Sequence, residues 1–176
     1  MLDISILFKR YRFLGFEFLT WLWFLTEKTG GSIDLSEQDN VLLVPGDKIV
    51  MELVDSAKPE RVTIFGEDAD LEEARISLKK RMLVREMNFR LKINDNEWGF
   101  GLNGENLTFS SFKTPKTGKI EKKDDFEGAI LEKIFLYEEC VNVVDTLFRR
   151  FIKQRISDEW TTKQIPSLKK WITSGI

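Results

Sequence analysis

The side chains able to do chemistry in this 176-residue chain are carboxylates and amines, because histidine is absent and cysteine occurs once. Without histidine there is no Ser-His or Cys-His nucleophile, no imidazole metal ligand and no base whose ordinary pKa lies near neutrality. No Gly-x-x-x-x-Gly-Lys loop or paired-cysteine motif occurs, and the Gly-x-Gly-x-x-Gly spacing of Gly99, Gly101 and Gly104 leads into a further strand pattern rather than opening a helix. Gly99-Phe-Gly101 falls in a strand pattern, where close backbone packing is the expectation rather than a phosphate cradle. Carboxylates remain for metal-assisted work, as the adjacent pairs Glu72-Glu73, Asp124-Asp125 and Glu138-Glu139. Neighbours on a helix point about 100° apart, so no single pair makes a cation cage. Glu132 with Glu139, and Glu138 with Asp145, share faces two turns apart and read as solvated helix surface. The expectation is therefore a protein with no catalytic residue, no metal and no cofactor. Cys140, alone within a helical pattern, reads as a small buried apolar residue, which suits a reducing cytoplasm.

One acid stands apart. Glu17 interrupts Phe13-Leu-Gly-Phe-Glu-Phe-Leu-Thr-Trp-Leu-Trp-Phe-Leu25, a run whose aromatic and aliphatic residues recur at helical spacing around almost the whole circumference. A helix apolar all round must be enclosed, and an acid inside it needs a partner such as an arginine or a backbone amide. A structural ion pair is the expectation for Glu17. The uninterrupted apolar stretch after it is only about eight residues, short of the roughly 20 that span a bilayer. Asp3 precedes the run and no small-residue cleavage site comes after it, so enclosure by protein rather than lipid is expected.

The elements that must position these residues can be read from period changes. The aromatic helix is predicted from about Tyr11 to Lys28 with a stop at Gly30-Gly31; residues 1–12 fit a strand or a helical lead-in. Val41 to Val44 and Lys48 to Val54 flank Pro45-Gly46-Asp47 and predict a hairpin. Arg61 to Phe65 reads as a further strand, and Asp70 opens a short helix to about Lys80. Met87, Phe89, Leu91 and Ile93 alternate with Glu86, Asn88, Arg90 and Lys92, the pattern of a half-buried strand. Turns at Asn94–Glu97 and Gly104–Asn106 lead into Trp98–Leu102 and Leu107–Phe112, an antiparallel meander. After a polar loop from Pro115 to Asp125, a stripe of Phe126, Ile130, Ile134, Tyr137, Val141, Val144, Phe148 and Phe151 predicts a long helix lying on the core. Ser157-Asp-Glu159 is expected to cap a last helix, with a kink or break at Pro166. Together these predict one α+β domain over residues 1–176: an antiparallel sheet of five to six strands with one face covered by three to four helices.

The net charge is −2, so no global field draws in nucleic acid. Local basic strips exist: Lys79-Lys80-Arg81 with Arg85, Arg90 with Lys92, the Lys116–Lys123 loop, Arg149-Arg150 with Lys153 and Arg155, and Lys169-Lys170. Were several to converge on one face, they would form a phosphate track with salt-dependent, sequence-independent binding.

Gly15-Phe-Glu-Phe-Leu-Thr-Trp-Leu-Trp23 resembles the Gly-x-Glu-Phe-Leu-x-Trp-Leu-Trp motif of bacterial recombination-associated RdgC-like proteins. In the same order, Leu78-Lys79-Lys80 ahead of a long strand, Arg155-Ile-Ser-x-x-Trp160 and Trp171-Ile172 resemble that group too. The resemblance implies a non-catalytic, sequence-independent DNA-binding accessory protein, often a ring-like dimer, that restrains strand exchange. The motif residues it carries over are Glu17, Trp21, Trp23, Trp160 and Trp171, with the tryptophans expected in the core. For DNA contact, charge points to Lys79, Lys80, Arg85, Arg90, Lys92, Arg149, Arg150 and Lys153. The alternatives are a protein-interaction module forming a homo- or hetero-oligomer, whose partner is a second copy or another protein, and a carboxylate-metal nuclease. No membrane partner is expected.

Overall fold

The fold is built on a buried helix laid across an antiparallel sheet. The structure, a computed structural model, describes residues 4–35, 38–53, 60–66, 71–117 and 126–174. Helix α1 runs Ile4–Thr29, which resolves the ambiguity of residues 4–12 in favour of helix, residues 1–3 lying outside the described residues, and starts seven residues earlier than predicted. From Phe16 to Thr26 every side chain except Glu17 is buried, so the helix is enclosed as an all-round apolar sequence demands. It ends in a Schellman motif: Gly30 sits at φ +61, its N–H donates to Glu27 O at 3.2 Å, and Gly31 N–H donates to Thr26 O at 2.7 Å.

Among the described residues, six strands form one sheet: β1 (Ser32–Leu35), β2 (Gln38–Leu53), β3 (Arg61–Phe65), β4 (Met82–Ile93), β5 (Asn96–Asn103) and β6 (Thr108–Lys113). Their order is β1-β2-β4-β5-β6, with β3 also paired to β2, and every pairing is antiparallel. The predicted hairpin at Pro45-Gly46-Asp47 is not there. Val41–Pro45 pairs with Ile93–Phe89 and Ile49–Leu53 pairs with Met87–Met82, so both halves belong to one strand and the turn signature makes a bulge in it. The reason is β4, long enough to offer ladder partners to both halves at once. The meander β4-β5-β6 forms as its alternation predicts.

Helices cover one face. Met87, Phe89, Leu91 and Ile93 are buried beneath them, while Arg90 and Lys92 are exposed on the other side. Helix α2 (Leu71–Lys79) buries Ala74 and Leu78; α3 (Phe126–Arg155) is joined to α4 (Ile165–Ser174) through a π-helical turn, Trp160–Gln164. The expected break at Pro166 takes that form: Ile165 N–H reaches back five residues to Trp160 O, and the regular helix restarts just before the proline. Ser157 does not cap this segment; its hydroxyl donates to Gln154 O at 2.8 Å and closes the end of α3.

The α3 stripe needs a larger correction. Its buried side chains are Leu136, Cys140, Val143, Val144, Leu147 and Phe151, whereas Phe126, Ile130, Ile134, Tyr137 and Val141 are exposed. The predicted stripe holds at its C-terminal end, where Val144 and Phe151 are buried and Phe148 packs on the core, whereas toward the N-terminus the core takes the neighbouring positions Leu136, Cys140 and Val143 instead. Trp98 of β5 fixes the choice by donating its indole N–H to Leu136 O at 2.9 Å.

Helix and sheet touch most closely at Gly15 and Gly104, the latter in the β5–β6 turn. A Cβ on Gly15 would stand 1.8 Å from Gly104 O, and one on Gly104 would stand 2.9 Å from Gly15 O. Backbone meets backbone there, and backbone cannot turn aside. Gly128 in α3 has nothing within 4 Å. Gly15→Ala is therefore expected to lower unfolding free energy by about 2 kcal/mol or more despite its better helix propensity. Gly128→Ala should raise it by up to about 1 kcal/mol. Urea unfolding followed by tryptophan fluorescence measures both, and a stabilised Gly15→Ala would refute the close seat.

Candidate functional site

Two acids of α1, Glu17 and Glu27, are occupied by structural partners. Glu17 Oε2 accepts from Arg155 Nε at 2.7 Å, the arginine partner its setting called for, and the Arg155 guanidinium lies 5.2 Å from the Trp160 ring centre. Glu27 accepts from the indole N–H of Trp23 and of Trp171, each at 2.7 Å, and from Arg75 at 2.6 Å. Trp21 is buried against Phe18 and Phe151, and Trp160 meets Phe151 edge-on. All five motif residues thus lie in structural contacts. The Cys140 thiol is buried, and burial, aided by the neighbouring Glu139 carboxylate, pushes its pKa up to about 12, so it stays protonated and unreactive.

Among the described residues no three acidic or thiol side chains gather into a metal-binding group; Asp124 and Asp125 lie outside those residues. No described helix is long and apolar enough to cross a membrane.

The eight candidate phosphate contacts are distributed over both sides of the sheet. Arg90 and Lys92 stand on its open face; Arg149, Arg150 and Lys153 are exposed on α3, in the opposite layer; Lys79 and Lys80 are exposed at the end of α2. Arg149 is held by Asp145 at 2.7 Å. Of the lysine-rich loop only Lys116 lies within the described residues, and it is exposed. The open face carries a groove of about 520 Å³ where Arg90 and Lys113 stand beside Asn88, Ser111 and Asp47 above Gly99. Asn88 donates to Asp47 at 2.7 Å and, with Lys113 and Arg90 nearby, holds the Asp47 carboxyl below its ordinary range. An ionised acid at the centre of this cluster breaks the run of positive charge a phosphate track requires. Gly101 is hemmed in by Ser110 Oγ and Asn88 Oδ1, which would lie 2.4 and 2.8 Å from an added Cβ, so close packing accounts for it.

Arg85 is consumed by structure. It bonds Glu52 Oε2 at 2.7 Å, pairs with Glu105, and lies over the Phe16 ring. Glu52 Oε2 also takes Arg61 Nε at 2.7 Å, leaving Oε1 buried without a hydrogen-bond partner.

What sequence reasoning missed is the flank of α3. None of its first ten residues is buried, yet they include Phe126 (58% exposed), Ile130, Leu131 (61%), Ile134 and Phe135 (62%); Tyr137 and Val141 extend the same surface. Tyr137 is held from below by a 4.3 Å stack on Phe112 of β6. These seven side chains expose roughly 600 Å², taking aromatic side chains at about 200 Å² each, which is at the upper end of the largest patch on an ordinary monomer. The signal was present in the sequence: Phe126 to Tyr137 is apolar on more faces than one sheet contact can bury.

Comparison with known protein families, curated proteins and solved structures finds no match to this chain.

The Glu52 cluster carries a pH dependence. Burial pushes its carboxyl up, but the Arg61 hydrogen bond and the Arg85 charge outweigh that and hold it below the ordinary value. A depressed folded-state pKa means the unfolded chain takes the proton first. The stabilisation is whole above the ordinary carboxylate range and is lost as pH falls through and below about 4. Urea midpoints of the native chain should fall steeply there, and those of Glu52→Gln less steeply. Parallel acid limbs would show that Glu52 contributes nothing to the pH dependence.

Proposed function

We propose that this chain is a non-catalytic assembly module whose working surface is the apolar flank of α3. The observation that carries the reading is the row of seven exposed apolar side chains from Phe126 to Val141. A patch at the upper end of what an ordinary monomer exposes is often a functional contact surface. The reading is further supported by the engagement of the chemically capable groups elsewhere, Glu17, Glu27, Glu52 and Cys140, in packing and ion pairs. Size exclusion of an extract from cells making the tagged chain tests it. The native chain should elute well above its 20.6 kDa mass, and Ile134→Glu with Phe135→Glu should elute as a monomer with unchanged circular dichroism. Elution of the native chain as a monomer would reject the reading.

A DNA-binding accessory role, which the resemblance to recombination-associated proteins implies, is the second reading. It is favoured by Arg90, Lys92 and Lys113 sharing the uncovered polar face of the sheet. Duplex anisotropy should then show affinity falling with salt at a slope of about three counterions, one per cation. Removal of these three cations should abolish the slope. Absence of binding at low salt excludes this role.

A further inference from the structure

The spacing of the exposed stripe identifies what covers it. Phe126, Ile130, Ile134, Tyr137 and Val141 are separated by four, four, three and four residues, the repeat of a helix-on-helix seam. Their positions are close to symmetric about the bond between Lys133 and Ile134. Turned end for end about that point, the stripe falls on itself: Phe126 comes level with Val141, Ile130 with Tyr137, and Ile134 beside its own copy near the axis. Large residues then oppose smaller ones, which is how knobs fill holes. A surface that complements itself under a two-fold rotation is the defining property of an isologous interface. We infer that the partner is a second copy of this chain, docked with its α3 antiparallel to the first; the inference rests on the assembly reading above.

Area and charge agree. The five stripe residues expose roughly 400 Å², taking aromatic side chains at about 200 Å² each; that is about half of the 800 Å² per partner that a standard interface buries, and Leu131 with the polar rim supplies the rest. Antiparallel docking sets the bordering acids Glu127 and Glu138 level with Cys140 and Ala129 of the copy, whereas parallel docking would set each acid against itself. Lys133 alone comes near its own kind at the axis, where its long stem can carry the ammonium outward. Opposed helix dipoles favour the antiparallel arrangement as well.

Two measurements on the purified full-length chain test this. Light scattering over a wide concentration range should give twice the 20.6 kDa chain mass, and Ile134→Glu should give the single chain. In a Cys140→Ala background, Ile134→Cys should oxidise to a covalent dimer. Ile130→Cys and Tyr137→Cys should each remain monomeric alone and cross-link when mixed. Self-linking of Ile130→Cys and Tyr137→Cys would mean parallel docking and overturn the arrangement. A purified monomer at every concentration would overturn the second copy as partner. If the same chain runs as a larger particle in extract, the assembly reading survives with a different protein on α3. If it is monomeric in both, the two fall together.

Discussion

Glu27 sits in the last turn of α1 and accepts hydrogen bonds from elements that are distant in sequence: Arg75 of α2 and Trp171 of α4, together with Trp23 of its own helix. A carboxylate this far out of water is tolerated only when its oxygens are met by donors, and here three donors meet it. The effect reaches beyond one residue. Helices α2 and α4 have 9 and 10 residues, below the length at which an isolated helix persists in water. Each is held by packing, and Glu27 is where both are fastened to the buried helix. The indole rings of Trp23 and Trp171 meet edge to face at 4.9 Å around the same point, so the polar bond and the aromatic contact enforce one geometry. Ten residues earlier, Glu17 plays a similar part with Arg155 at the end of α3. The aromatic helix is thus tied by its acids and packed by everything between them.

Much of this architecture is legible in the chain because its determinants are local. The all-round apolarity of Phe16–Leu25 requires enclosure wherever the helix lies, and the alternation from Met87 to Ile93 requires a sheet with one wet face. Gly30-Gly31 stops a helix by backbone preference alone. An acid in an apolar helix demands a donor, although the sequence could not say that Arg155 would be the one. The failures share the opposite property. Pro45-Gly46-Asp47 has the same local chemistry in a hairpin and in a bulge, and only the length of β4 decides between them. The four-residue β1 carries too little alternation to stand out. On α3, periodicity reports a helix with apolar faces but not which face the sheet takes, because that choice belongs to Trp98 and Phe112. Arg85 looks like its basic neighbours until Glu52 and Glu105, 33 and 20 residues away, are brought to it.

The residues that carry the family-like motif have an account of their own in this fold. Gly15 lets the buried helix sit on the β5–β6 turn, Glu17 binds Arg155, Trp23 and Trp171 converge on Glu27, and Trp160 lies between Arg155 and Phe151. Spacing of this kind specifies how a helix is enclosed. It would recur in any chain that solves the same packing problem, whatever its surface does, since function resides in sites carried on a fold rather than in the fold. Charge is subject to the same separation. Cations adjacent in sequence are divided by the pleat of a strand or by the sheet itself, so their number says little about the field that a polyanion would meet.

Helix α3 uses one sequence feature, its apolar periodicity, for two purposes. From Leu136 onward it is a core helix, with Cys140, Val143, Leu147 and Phe151 beneath it. The ten residues before Leu136 continue the same rod for about 15 Å without one buried side chain. Such a segment is too short to hold a helix by itself, and Gly128 weakens it further. Its helicity is inherited from the anchored half, and its apolarity has no use within its own sheet. Under the assembly reading proposed above, a core helix extended past its core and still apolar on the outward flank would be half of an interface. The anchored turns supply rigidity, so little conformational freedom remains to be lost when the other half arrives.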